Sequence, residues 1–225
     1  MTNDLAGFLQ LADSAFPSGA FAQSFGLETA IAAGRVCDEA TLERWLASYL
    51  LDGLATLDGA AIVLYLRDGS AIEDLDQHLA AATFAEESRG AAARLARSTL
   101  DAYAAMGLAS PELTTYQTAL VQGRCAGHVA LAFALGARAA AVDWEAAFIG
   151  YASSTLAVLA SCAARAVPLG QRTIARTRWR LRTTVHEALA RAARLRAPAE
   201  LHAQAFEQEI DAMNHALLEE RLFSS

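Results

Sequence analysis

Apolar residues recur along most of the chain at spacings of three and four, the period of a helix with one face turned toward a core. After Asp38, a suitable N-cap, the residues Leu42, Trp45, Leu46, Tyr49 and Leu50 follow that period closely. A shorter apolar segment, Leu5, Phe8, Leu9 and Leu11, comes first and runs into Asp13-Ser14-Ala15-Phe16-Pro17-Ser18-Gly19-Ala20, where the pattern stops. Pro17 biases Phe16 away from helical angles and Gly19 can supply a positive φ, so this stretch is expected to be a structured loop. Further helices are expected over residues 21–33, ended by Gly34, and over 55–66, closed by Asp68-Gly69. Ser70-Ala71-Ile72-Glu73 has the form of a capping box and predicts a helix toward Thr83. The pattern continues with helices over 86–106, from Ser110-Pro111 to Gln122, and over 124–140, 171–194 and 201–220. No run of alternating residues predicts a strand.

The most apolar stretch is residues 144–165, which carries no charged side chain between Ala146 and Ala164. As a helix it would extend about 33 Å at 1.5 Å per residue. Asp143 is placed to cap its start, Arg165 suits its last turn, and Pro168 prevents continuation. Gly150, Ser154, Ala157, Ser161 and Ala164 form one narrow stripe of small side chains, which predicts close approach of a neighbouring helix. Length alone would also suit a membrane span. The run is built from Ala, Ser, Gly and Thr rather than from Leu, Ile and Phe, which favours a helix buried in protein. The expected fold class is therefore all-α, a single-domain helical bundle around a buried central apolar helix.

Composition agrees with this reading. Hydrophobic residues make up 54% of the 225 residues, but much of that share is alanine, a strong helix former with little to bury. A net charge of −7 argues against a nucleic-acid binder, whose affinity depends on neutralising phosphates. Cys37, Cys125 and Cys162 are odd in number and far apart, which predicts no disulfide framework and a reducing, cytoplasmic location. Met1-Thr2-Asn3-Asp4 lacks the basic region of a secretory signal.

Charge is unevenly distributed: all eighteen basic residues are arginine, and nine lie between Arg165 and Arg196, where Glu187 is the single acid. Arg172, Arg176 and Arg180 share a helical face, which is either a solvated surface or a docking surface for an acidic partner. Motifs for catalysis are missing. There is no Walker loop, no G-x-S-x-G and no H-E-x-x-H, since His186-Glu187 is followed by alanine at position 190. The five histidines, His78, His128, His186, His202 and His215, do not pair at metal-ligand spacing with one another. His128 reads as a satisfied core histidine. Asp13 with Glu28, or His128 with Ser154, would have to meet in space to make an enzyme of dispersed polar residues, the alternative reading of the chain.

The end of the chain, Arg221-Leu222-Phe223, places an aromatic side chain near a terminus. Either the last turn folds back on the core or the segment orders on a partner. Arg221 offers a planar fork of donors and Leu222 with Phe223 an apolar anchor, as a docking plug would.

Residues 9–28, Leu-Gln-Leu-Ala-Asp-Ser-Ala-Phe-Pro-Ser-Gly-Ala-Phe-Ala-Gln-Ser-Phe-Gly-Leu-Glu, resemble the N-terminal signature of the urease accessory protein F (UreF) family. Trp45-Leu46 followed by Asp58, the segment from Tyr151 to Arg165 with Ser161, Pro168-Leu169-Gly170-Gln171 and the terminal Arg221-Leu222-Phe223 resemble that family in order and spacing. Phe16 stands where leucine is commoner, and Phe25 where a small or polar residue is frequent. The resemblance implies an all-helical, non-catalytic maturation factor that dimerises and bridges a UreD (UreH) scaffold to the nickel-carrying GTPase UreG. Nickel would reach apo-urease through that assembly, with no cofactor held tightly by this chain and no role for nucleic acid or a membrane. It further implies one UreF-like domain over residues 1–225, with residues 1–20 as an N-terminal segment and 220–225 as a partner-binding tail. Pro17, Ser18, Gly19, Ser24, Glu28, Tyr151, Arg165, Arg221, Leu222 and Phe223 are the residues expected to meet partners.

Overall fold

The computed structural model describes residues 4–224; Met1, Thr2, Asn3 and Ser225, which the sequence reading assigns to the N-terminal segment and the tail, lie outside the described residues. Twelve α-helices and no strand are found among the described residues. They are α1 (Leu5–Leu11), α2 (Leu27–Ala32), α3 (Glu39–Ser48), α4 (Asp58–Asp68), α5 (Ile72–Ala82) and α6 (Glu86–Ala105), followed by α7 (Pro111–Val121), α8 (Val129–Ala139), α9 (Trp144–Ala166), α10 (Gln171–Arg180), α11 (Arg182–Ala192) and α12 (Phe206–Asn214). The expected all-α bundle is observed.

The central helix is α9. Asp143 caps it by accepting the Ala146 N–H at 2.7 Å, and Val167 turns to extended angles just before Pro168. It packs against α2, α4, α8, α10 and α11. Its length and apolar composition would allow it to cross a membrane, but Phe148, Ala152, Leu156, Leu159, Cys162 and Ala163 are instead buried inside the bundle. The small stripe behaves differently from expectation. Gly150, Ser154, Ala157, Ser161 and Ala164 are only half-buried, and the close helix contact is made on another face. There, Phe148 of α9 fits against Gly59 of α4, where an added Cβ would stand 2.3 Å from the ring. Of the stripe, Gly150 does receive a neighbour: a Cβ there would lie 2.5 Å from the ring of Phe8 in α1. Leu, Phe and Tyr side chains therefore fill gaps left by small residues on the partner helices, as dense packing requires.

Several boundaries differ from the periodicity reading, each for a local reason. The helix expected over 21–33 begins only at Leu27, because Phe25 (φ 51°) and Gly26 (φ 87°) take left-handed backbone after a 3-10 turn at Ala20–Ala22. The helix expected over 55–66 starts at Asp58, since α3 runs on through a π-helical turn at Tyr49–Leu54 and the chain breaks at Leu57. Ser70 does not cap α5; the N-cap is Ala71, and the Ser70 N–H is used by the Leu64 carbonyl at the end of α4. Residues 124–128 are a loop, with Gly127 at φ 101° and His128 as N-cap of α8. The long basic helix is two helices broken at Leu181. Finally, residues 201–205 form no helix, held by Thr56 and Asp52 carbonyls that accept from the His202 and Gln204 N–H groups, so α12 spans only Phe206–Asn214.

The arginine face is partly committed within the fold. Arg176 and Arg180 pair with Glu39 and Glu43 of α3, and Arg191 pairs with Asp52, whereas Trp179 stands 68% exposed with Arg182 stacked on it at 4.5 Å.

Candidate functional site

Residues from five parts of the chain converge where α2, α6 and the end of α9 meet the C-terminal segment. Glu28 lies in the first turn of α2 and is buried. Its carboxylate accepts the N–H of Leu222 at 2.6 Å and of Phe223 at 3.2 Å. Such a buried carboxylate keeps its charge only where donors surround it. On its other side stands His215, whose Nε2 lies 2.9 Å from Glu28. The other ring nitrogen, Nδ1, lies 2.7 Å from Glu87 of α6, and Arg221 donates to the remaining Glu87 oxygen at 3.1 Å. Glu28, His215, Glu87 and Arg221 thus make one continuous chain of contacts.

Arg165, in the last turn of α9, completes the clamp. Its guanidinium lies 4.3 Å from the ring of Phe21 and 4.4 Å from the ring of Phe223, and it donates to the Phe21 carbonyl at 3.0 Å. Each stacked contact contributes about 0.5–2 kcal/mol, more as it loses water. Phe223 is only 6% exposed, and the Ser224 N–H donates to the Ala22 carbonyl at 2.7 Å. Of the two readings of Phe223, the structure shows the one in which the chain end folds back. Cys162, one turn before Arg165, donates its thiol to the Gln23 carbonyl, and burial pushes that thiol up to about 11. Cys125 is pushed up to about 12, again chiefly by burial. Neither is a poised nucleophile at neutral pH.

The N-terminal loop borders this clamp. Pro17 and Gly19 are exposed, and Ser18 accepts the Ala20 N–H, while Gly19 takes φ 84° as its sequence context predicts. Beneath the loop a cavity is lined by Asp13, Phe16, Ser18, Phe25, Tyr103 and Tyr151. Glu28, Arg165, Arg221, Leu222 and Phe223 are therefore brought together, Pro17, Ser18 and Gly19 lie on the adjoining loop, and Ser24 and Tyr151 face the interior. Tyr151 donates to Asp58 of α4 at 2.7 Å, and burial raises its hydroxyl well above the ordinary tyrosine range. Near Asp58 is His128, its Nε2 3.7 Å away, buried as the core histidine expected from sequence, with Nδ1 accepting the Ala130 N–H at 3.3 Å.

The residue pairs that would have suggested an enzyme are not assembled. Asp13 accepts the Ala15 N–H in its own loop while Glu28 holds the tail, and His128 turns to Asp58 rather than to Ser154. Among the described residues no group of three or more His, Cys, Asp or Glu side chains is placed to hold a metal ion. His215, Glu87 and Asp58 were not singled out as site residues by sequence reasoning. Residues 28, 87 and 215 lie on three separate elements, and no spacing in the chain announces that they meet.

Fold and site together define a class: an all-helical bundle whose buried polar residues fix segments of chain in place. The chain belongs to the UreF family, whose family model matches residues 36–182. It is 36% identical over 216 residues to the urease accessory protein UreF of Arthrobacter sp. (strain FB24), covering 96% of this chain and 95% of that protein. The urease accessory protein UreF of Bacillus sp. (strain TB-90) is 31% identical over 233 residues, covering 99% and 100% of the two chains. That of Kocuria rhizophila is 31% identical over 227 residues, covering 98% and 97%.

Proposed function

We propose that this chain is a urease maturation factor that bridges a UreD/UreH-type scaffold and a UreG-type GTPase during GTP-dependent nickel insertion into apo-urease. Full-length similarity to urease accessory proteins supports the setting, and one structural observation carries the bridging role. The clamp around Phe223 joins the N-terminal loop and the C-terminal tail into one continuous surface on which Pro17, Gly19, Phe21, Arg165, Arg221 and Leu222 are exposed. Phe21 and Leu222 show 50% and 67% of their area, unusual for apolar side chains beside a well-packed clamp. Exposed apolar groups ringed by arginine are what a partner interface offers before assembly. Ser24, Glu28, Tyr151 and Phe223 support that surface from beneath. Nickel is cargo of the assembled complex and contacts this chain weakly when it is alone. The half-buried small-residue face of α9 suits close packing of a second copy in a homodimer, and the site of action is the cytoplasm.

The test is co-purification. Full-length protein should retain a UreD-type scaffold and, through it, a UreG-type GTPase, and should raise urease activity when all are co-expressed. Phe21→Asp with Leu222→Asp should abolish scaffold retention while circular dichroism stays unchanged. Undiminished retention by that folded double variant would overturn the assignment of this surface.

A further inference from the structure

His215 has a setting that no part of the partner reading explains. It is fully buried, and each ring nitrogen faces a carboxylate: Nδ1 is 2.7 Å from Glu87 and Nε2 is 2.9 Å from Glu28. A carboxylate can only accept. A neutral imidazole donates from one nitrogen and presents a lone pair at the other, so one of the two contacts would set a lone pair against a carboxylate oxygen. A ring protonated on both nitrogens satisfies both. We propose that His215 is the positioning residue of the C-terminal segment, seated as an imidazolium between Glu28 and Glu87, so that docking of residues 215–224 takes up a proton.

The surroundings favour that state. From α2 the ring meets Glu28 and from α6 Glu87, while Arg221 reaches it only through the far oxygen of Glu87. From α9, Cys162 is held as a thiol by burial and Arg165 is committed to Phe21 and Phe223. The acids of the preceding helix, α12, are turned elsewhere: Glu207 and Asp211 pair with Arg35, and Glu209 accepts the Phe84 N–H. Two negative carboxylates therefore share one positive ring, and the same two carboxylates hold Arg221 and the Leu222 and Phe223 amides. Removing the proton would leave Glu28 and Glu87 without their bridge and loosen the tail with them.

The sign follows from linkage. The docked ring, facing a carboxylate at each nitrogen, must hold both protons, whereas the released segment is free to give one up. Docking is thus unopposed in mildly acidic solution and weakens as pH rises past the point where the docked ring lets its proton go, by up to tenfold per pH unit, the limit for one proton. The inference concerns the isolated chain and stands or falls separately from the identity of any partner.

The experiment is heteronuclear NMR of the full chain from about pH 5 to about pH 9, a range spanning ordinary histidine titration and beyond. The His215 ring should show protons on both nitrogens for as long as the Leu222 and Phe223 amides keep their carboxylate-bonded positions, and ring and amides should change together. An imidazolium that persists to the top of the range with the segment docked also supports the bridge, because a free histidine would have lost its proton there. Glu87→Gln provides the control that a merely structural histidine would not pass. Its carboxamide can donate to Nδ1, letting a neutral ring donate from Nε2 to Glu28, so the segment should stay docked without pH dependence. A neutral His215 ring in the docked wild type, a segment released at every pH, or a Glu87→Gln protein whose segment is released as pH rises would each overturn the proposal.

Discussion

The ring of Phe223 rests 4.4 Å from the guanidinium carbon of Arg165, which also lies 4.3 Å from the ring of Phe21, so one cation in the last turn of α9 joins both ends of the chain. Arg165→Lys keeps the charge but loses the flat surface on which the rings pack. It should free the tail, with trypsin or chymotrypsin cutting near residues 221–223 at least several-fold faster. The melting temperature should change little, because α9 itself remains packed. Phe223→Ala should have the same effect on cleavage. Unchanged cleavage in both variants would show that the stacked contacts do not hold the tail.

Gly26 and Gly34 make a matched pair for the backbone. Both have positive φ, 87° and 73°, but a Cβ at Gly26 would lie 2.7 Å from the Gln208 carbonyl oxygen, whereas one at Gly34 meets nothing within 4 Å. Gly34→Ala should cost about 1 kcal/mol for the left-handed conformation alone. Gly26→Ala should cost several-fold more in urea unfolding, because α12 must also move away from α2. Equal losses would mean that the segments separate freely there.

On α9 the two kinds of small residue should respond differently to bulk. Ala163 is fully buried, whereas Ala157 is half-buried. Leucine at position 163 should overpack the core and destabilise the fold by about 1–3 kcal/mol. Leucine at position 157 should leave the melting temperature of a dilute monomer nearly unchanged and should instead weaken self-association, seen in sedimentation velocity. A large thermal loss at 157 would place that face inside the bundle.

The three thiols should separate in alkylation. Cys37 is exposed, while burial holds Cys125 and Cys162 up at about 12 and about 11. Because the thiolate is the reactive form, iodoacetamide at about pH 8 should modify Cys37 first and leave the other two largely unreacted in the folded protein. Mass spectrometry of tryptic peptides reads the outcome. Rapid labelling of Cys162 in the intact protein would show that the clamp opens readily.

Sequence alone determined the helical class, the central helix with its Asp143 cap and Pro168 stop, the Ser110-Pro111 start of α7, and the glycine-dependent loop before α2. These features depend on residues within a few positions of one another, where cap chemistry, proline geometry and a 3.6-residue period act directly. The UreF signature was legible for the same reason: most of it is a single run of residues. Boundaries were lost where tertiary contacts outweigh local preference. The apolar residues of the Phe21–Ala33 stretch suggested one helix, but Gly26 must turn the chain so that α12 can close on α2. The apolar residues around 55–58 hid the break at Leu57.

The clamp was decided by tertiary structure. Glu28 and Arg165 could be picked out because they stand inside recognisable stretches, but nothing in the sequence pairs Glu28 with the amides of residues 222 and 223, nor sets His215 between residues 28 and 87. Periodicity reports which side of a helix is apolar, and it carries no information on which distant polar groups meet once those sides are packed. Only the folded chain brings a buried and a half-buried carboxylate to one imidazole, because burying Glu28 without donors would cost more than the fold could supply.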